Sequence, residues 1–153
     1  MTKPKFETMW ANFARINVSV KEVGNRIGGK VQYNIDQGIF QNACAIRMSY
    51  ALNYSGVPIQ PDSRWDTSSG ADKKRYIFKV SHLIKFLKST LGNPDITVKS
   101  KADMSALQGE KGLVVFNVSW SDATGHATLW DGSGCSDKCY YESASEVKLW
   151  ILK

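Results

Sequence analysis

The sequence predicts an α+β domain in which N-terminal helices pack on a C-terminal antiparallel sheet. Three observations carry that expectation. Apolar residues recur at helical spacing as far as Leu91, the period then changes to that of strands, and turn residues separate the later apolar runs. Helices first and strands last point to segregated layers rather than alternating βαβ units. At 153 residues the chain is long enough for one domain with a real core and short for two, so residues 1–153 read as a single domain.

The elements follow in order. Phe6, Met9, Trp10 and Phe13 share one helical face, and Pro4 just upstream suits a helix start. VSVKEVGNRIGG gives a second helix ending at Gly28-Gly29, and VQYNIDQGIFQ at 31–41 reads as irregular. QNACAIRMSYALN carries a helix to about Asn53 with Asn42 as its N-cap, closing before Gly56 and Pro58. Apolar residues lie on both of its stripes, which predicts a central, buried helix. Residues 58–75 are rich in Pro, Ser, Asp and Gly and read as one long loop of the kind that borders functional sites. Val80, Leu83, Ile84, Leu87 and Leu91 mark a further helix that stops at Gly92. ITVKS then reads as a strand, ADMSALQGE as a short helix, and LVVFNVSW, HATLWDG and EVKLWIL as three strands.

Composition narrows the function. The net charge of +6 is scattered, with no arginine-rich arm, so a nucleic-acid module is not indicated; the charge fits a solvated cationic surface or attraction to a polyanionic envelope. The longest apolar runs are too short to span a bilayer, and MTKPKFETMWANFARINVSV lacks the apolar segment of a secretory signal. Cys135 and Cys139 form a C-x3-C pair. A zinc site would need more ligands than the pair, and the chain offers two histidines, His82 and His126; a disulfide is preferred, with two free thiols as the alternative. So tight a loop contributes about 2 kcal/mol by chain entropy, and its use would be to pin the backbone between the cysteines. A disulfide belongs to an oxidising compartment, which sits oddly with the missing export signal.

Three separated residues carry the chemistry. Cys44 stands at a predicted helix start, where free amides and the helix dipole favour thiolate, with small alanines on both sides. A buried core thiol is the plain alternative. His126 follows Gly125 at the start of a strand, at a sheet edge open to a substrate; His82, mid-helix, is the rival base. Asp137 lies between the paired cysteines, whereas Asp131 precedes a glycine in a turn where aspartate is common for local reasons. Thiol on a helix, then histidine on a strand, then acid is the layout of papain-like hydrolases.

QNACAIRMSYALN, GHATLWDG and GCSDKC also resemble the fourth family of type VI secretion amidase effectors, in the NlpC-like branch of papain-fold peptidases, over essentially the whole chain. The resemblance implies a peptidoglycan amidase injected into a rival's periplasm. It would cut stem peptides between D-glutamate and meso-diaminopimelate, with Cys44 as nucleophile, His126 as base and Asp137 as orienting acid. It implies no metal or organic cofactor, a cognate immunity protein as partner, and neither nucleic acid nor membrane insertion. Injection needs no cleavable signal and ends in an oxidising space, which removes the earlier tension.

Further expectations concern the substrate. The Cys44 amide would donate to the oxyanion. The second donor is open, because the papain position falls on Gly38 while Gln37, Gln41 and Asn42 lie nearby. Asn42, Arg64 and Trp130 are candidate substrate-binding residues, with Lys73 a second cation for stem-peptide carboxylates. Two other readings stand beside this one. One is a cysteine amidase acting on another cell-wall bond. The other is a non-catalytic peptidoglycan-binding module that stacks sugars on Trp65, Trp120 or Trp130.

Overall fold

The computed structural model describes residues 3–40, 42–99, 105–118, 125–140 and 142–153. Five helices and six strands appear among them: α1 (Phe6–Ile16), α2 (Val20–Ile27), α3 (Gly29–Asp36), α4 (Cys44–Asn53), β1 (Thr67–Ser69), β2 (Arg75–Ile77), α5 (Val80–Leu91), β3 (Ile96–Val98), β4 (Gly112–Asn117), β5 (Gly125–Trp130) and β6 (Glu146–Ile151). Helices do precede the main sheet and pack on it, as the order of periods predicts.

Two local expectations are corrected. The stretch expected to be irregular forms α3. Gly28 and Gly29 both take positive φ, which lets the chain reverse out of α2 and resume a helix at once. A side chain at Gly29 would stand 2.7 Å from the Gly70 backbone, so this reversal is also a point of close approach. The long loop is not all loop either: β1 and β2 pair antiparallel within and just beyond it, Thr67 opposite Ile77. Their strands are three residues each, too short for alternation to stand out. Of the short helix expected at 102–110, one helical turn at 105–107 is seen; Ala102, Asp103 and Met104 lie outside the described residues.

The main sheet is antiparallel in the order β3-β6-β4-β5, leaving β5 at an edge. Its pleat divides the residues cleanly between two faces. Leu113, Val115, Ala127, Leu129 and Trp150 face Met9, Phe13, Met48, Leu52, Leu83 and Leu87 of the helices. Val98, Val114, Phe116, Trp130, Val147 and Leu149 face away, covered by Leu107 and the segment carrying Cys135 and Cys139. A further cluster joins Val23, Val31 and Ile35 of α2 and α3 to Ile46 of α4. So α4 is apolar on both stripes because it has a core on each side. Its one buried hydroxyl is satisfied: Ser49 donates to the Ala45 carbonyl at 2.8 Å and accepts the Ile77 amide at 2.9 Å, pegging the helix to β2.

Candidate active site

The site forms where the first residue of α4 meets the first residues of β5. Helix α4 begins at Cys44 because Asn42 Oδ1 accepts the Cys44 backbone N–H at 2.9 Å. Ala43, not Asn42, occupies the N-cap position, so the predicted cap acts one residue further out. The Cys44 side chain is only 2% exposed and its thiol donates to the Gly125 carbonyl at 3.7 Å. That contact ties the helix start to the strand start. It needs a glycine at 125: a Cβ there would lie 2.5 Å from the Phe116 carbonyl oxygen across β4.

His126 is next along the strand, buried at 7% exposure, on the face away from the helices and opposite Phe116. Thr128 and Trp130 share that face by the two-residue period. After Trp130 the chain turns back. Asp131 builds the turn, its Oδ1 accepting the amides of Ser133 and Gly134 at 2.9 and 2.8 Å, which hold its carboxyl below the usual carboxylate range. Cys135 then bridges to Trp130, Ser136 donates to the Leu129 carbonyl at 2.8 Å, and the Asp137 amide reaches Thr128 Oγ1 at 3.4 Å. Stepping back along β5 in this way brings Asp137 to His126, where its Oδ1 meets Nε2 at 3.0 Å. Cys135 and Cys139 are disulfide-bonded around it.

With Nε2 on the carboxylate, Nδ1 is left for the sulfur. The electrostatics follow from that placement. Burial pushes the imidazole pKa down, but hydrogen bonding and charge from Asp137 and Cys44 outweigh it and raise it to about 9. For Asp137 burial acts upward, and the His126 hydrogen bond and charge outweigh it, holding the carboxyl below its usual range. A thiol, an imidazole made more basic by its carboxylate neighbour and an ionised orienting acid are the set needed for nucleophilic attack on an acyl carbon.

The other sequence candidates lie elsewhere. Asp131 serves its turn, and His82 accepts the Asp66 amide at 3.0 Å on α5. Arg64 pairs with Asp62 at 2.9 Å and reaches Ser89. Ser89 is roughly 13 Å along α5 from Val80; it is Val80 whose side chain borders Gly125. Lys73 sits in the β1–β2 turn, which Asp72 fastens to Tyr54 just beyond the far end of α4, roughly 15 Å from Cys44. Trp130 is not at the site: it lies roughly 13 Å along β5 from His126, buried, with its indole N–H on the Leu107 carbonyl at 2.9 Å. Trp65 is likewise buried, edge-on to Phe86. Trp120 and Gln41 lie outside the described residues. Among the described residues no group of His, Cys, Asp and Glu is arranged to hold a metal ion, and no helix is long and apolar enough to cross a membrane.

Two residues at the site escaped the sequence reading. Thr128 is fully buried and supports Asp137; its position two residues after His126 on a strand was the available signal. Tyr140 packs edge-on against the imidazole with 4.8 Å between centroids, and nothing in the local pattern marked it.

Comparison with known proteins places this geometry. The profile described as type VI secretion system amidase effector protein 4 (Tae4) matches residues 40–150. The Tae4–Tai4 effector–immunity complex from Enterobacter cloacae is 45% identical, with 99% of this chain and 100% of that chain covered and a TM-score of 0.94. Tae4 alone from the same organism is 46% identical, covering 99% and 98% of the two chains, with a TM-score of 0.93. The complex from Salmonella Typhimurium is 45% identical over 99% and 100%, also at a TM-score of 0.93. No curated protein matches. The span of the profile match and the identity to these solved effectors make the chain a member of the Tae4 family of type VI secretion amidase effectors.

Proposed function

We propose that the chain is an antibacterial cysteine amidase of the papain-like, NlpC-like type that hydrolyses the γ-D-glutamyl–meso-diaminopimelate bond of peptidoglycan stem peptides. One observation carries the reading. A thiol, an imidazole and a carboxylate from distant parts of the sequence converge, with His126 held between Cys44 and Asp137.

His126 takes the Cys44 proton, and the sulfur attacks the γ-carbonyl carbon of D-glutamate. The tetrahedral oxyanion replaces Asn42 Oδ1 as acceptor of the Cys44 amide. The imidazolium then protonates the leaving amine of diaminopimelate as the carbon–nitrogen bond breaks. Water, deprotonated by His126, attacks the thioester, and the sulfur leaves to restore the starting state. Asp137 keeps Nε2 occupied throughout, so that Nδ1 does the proton transfers. No step calls for a metal or an organic cofactor.

The working place of such an enzyme is a rival cell's periplasm, reached by type VI injection. The disulfide beside Asp137 suits that oxidising space. Relatives crystallised with Tai4 support a cognate immunity protein as the partner in the producing cell. The test is digestion of purified sacculi by the wild type and by Cys44→Ala, with products identified by mass spectrometry. New diaminopimelate amino termini from the wild type alone are expected. Equal cleavage by both proteins, or scission at another bond, overturns the reading.

A further inference from the structure

A stem peptide is anionic, yet neither cation that the sequence offered for its carboxylates reaches the site. Arg64 is held by Asp62, and Lys73 lies beyond the far end of α4. A third cation is there instead. Lys138 follows Asp137 in the chain, and its ammonium lies 5.2 Å from the centre of the Tyr140 ring. That ring packs against the His126 imidazole at 4.8 Å, so two short steps lead from the ammonium to the catalytic base.

The charge is available. Lys138 is exposed and pairs with no carboxylate among the described residues. The neighbouring Asp137 carboxylate is committed to His126 and to the Lys138 backbone N–H. Its position is also constrained. Cys135 and Cys139 bracket the residue through their disulfide, and the Tyr140 face beneath the ammonium favours one placement of an otherwise flexible side chain.

We propose that Lys138 is a specificity-determining residue that binds the free α-carboxylate of the γ-linked glutamate; this rests on the stem-peptide reading above. In a γ-linked residue that carboxylate is four bonds from the reacting carbonyl carbon. Of the cations considered for this carboxylate, Lys138 is the one that neighbours the base, through the Tyr140 ring. A residue with no second carboxyl, or one whose carboxyl is amidated, puts no anion there, and the ammonium finds no counter-charge. The same residue therefore selects a free over an amidated carboxyl on this glutamate as well as positioning the substrate.

The test uses two soluble stem peptides that differ only in whether the α-carboxyl of glutamate is free or amidated. The wild type should prefer the free acid in kcat/KM by roughly tenfold, the scale of a partly exposed charge-assisted hydrogen bond. Lys138→Gln should lose that preference through a raised KM with kcat kept, Lys138→Arg should retain most of it, and Lys138→Glu should prefer the amide. Wild-type preference surviving in Lys138→Gln overturns the inference alone. So does an equal loss on both substrates. Failure of the wild type to cleave either peptide overturns the inference together with the proposed function.

Discussion

Asp137 sits beside Thr128 on the returning limb of a tight reversal, its amide on the threonine hydroxyl at 3.4 Å and its carboxylate on His126 at 3.0 Å. The register explains the partnership. Trp130 is opposite Cys135, so each step back along β5 is matched by one step forward toward Asp137. Base and acid are neighbours across this reversal despite eleven positions of separation.

The first prediction separates the two acids. Asp137→Asn removes the charge that orients His126 and raises its basicity, and should lower kcat by at least about a hundredfold. Asp131→Asn keeps an oxygen that can accept the turn amides and should stay within about threefold of the wild type. Steady-state rates on a soluble stem peptide decide between them. A dead Asp131 variant beside an active Asp137 variant would refute the assignment.

The pH response follows from the same pair. The folded pKa of His126 is raised from 6.5 to about 9, so its contribution to stability is fully present below 6.5 and fades as pH rises through about 9. Asp137 is lowered from 3.8, so its contribution is present above that value and fades as pH falls through the lowered one. The kcat profile should show an alkaline limb near 9, where the general acid is lost. In Asp137→Asn that limb should move toward lower pH, and thermal melts of the variant should change less than those of the wild type between neutral and alkaline pH.

Reduction of Cys135–Cys139 should leave the chain folded but loosen the loop that carries Asp137. The bond is worth about 2 kcal/mol at most for so short a loop, too little to hold the whole domain together. We expect kcat to fall several-fold in dithiothreitol and to return on reoxidation. A Cys135→Ser/Cys139→Ser double variant should start at the lower rate and ignore the reductant. Full activity in the reduced wild type would show that the acid needs no fastening.

Gly125→Ala should damage fold and chemistry together. The added methyl meets the Phe116 carbonyl oxygen at 2.5 Å, which forces β5 away from β4 and moves both His126 and the carbonyl that receives the Cys44 thiol. A loss of about 1–3 kcal/mol in denaturant unfolding is expected. The residual activity of the remaining folded fraction should also be well below that of the wild type.

Much of this was legible in the sequence where one period dominates. The helical stripe of Phe6, Met9 and Phe13, the two-sided stripes of α4, and the runs that became β4, β5 and β6 each repeat often enough to fix their element. Short or interrupted elements were not legible. A glycine pair looks like an ending, and only tertiary contact with Gly70 makes it the corner between α2 and α3. The three residues that converge at the site, Cys44, His126 and Asp137, could be picked out because helix starts, strand starts and cysteine brackets leave local marks. Two of the substrate-facing candidates, Arg64 and Trp130, lie away from the site for a different reason. Whether Arg64 or Trp130 faces a cleft depends on partners distant in sequence, Ser89 and Leu107, that no local pattern announces.

The proposed reactive groups thus belong to two elements, α4 carrying the sulfur and β5 with its returning limb carrying the imidazole and the carboxylate. They meet along a narrow seam marked by the Cys44–Gly125 contact. A displacement of about 1 Å across such a junction is enough to cost about a hundredfold in rate. A neutralising protein therefore has no need to unfold either element or to fill the cleft; a wedge driven into the seam would disarm the enzyme.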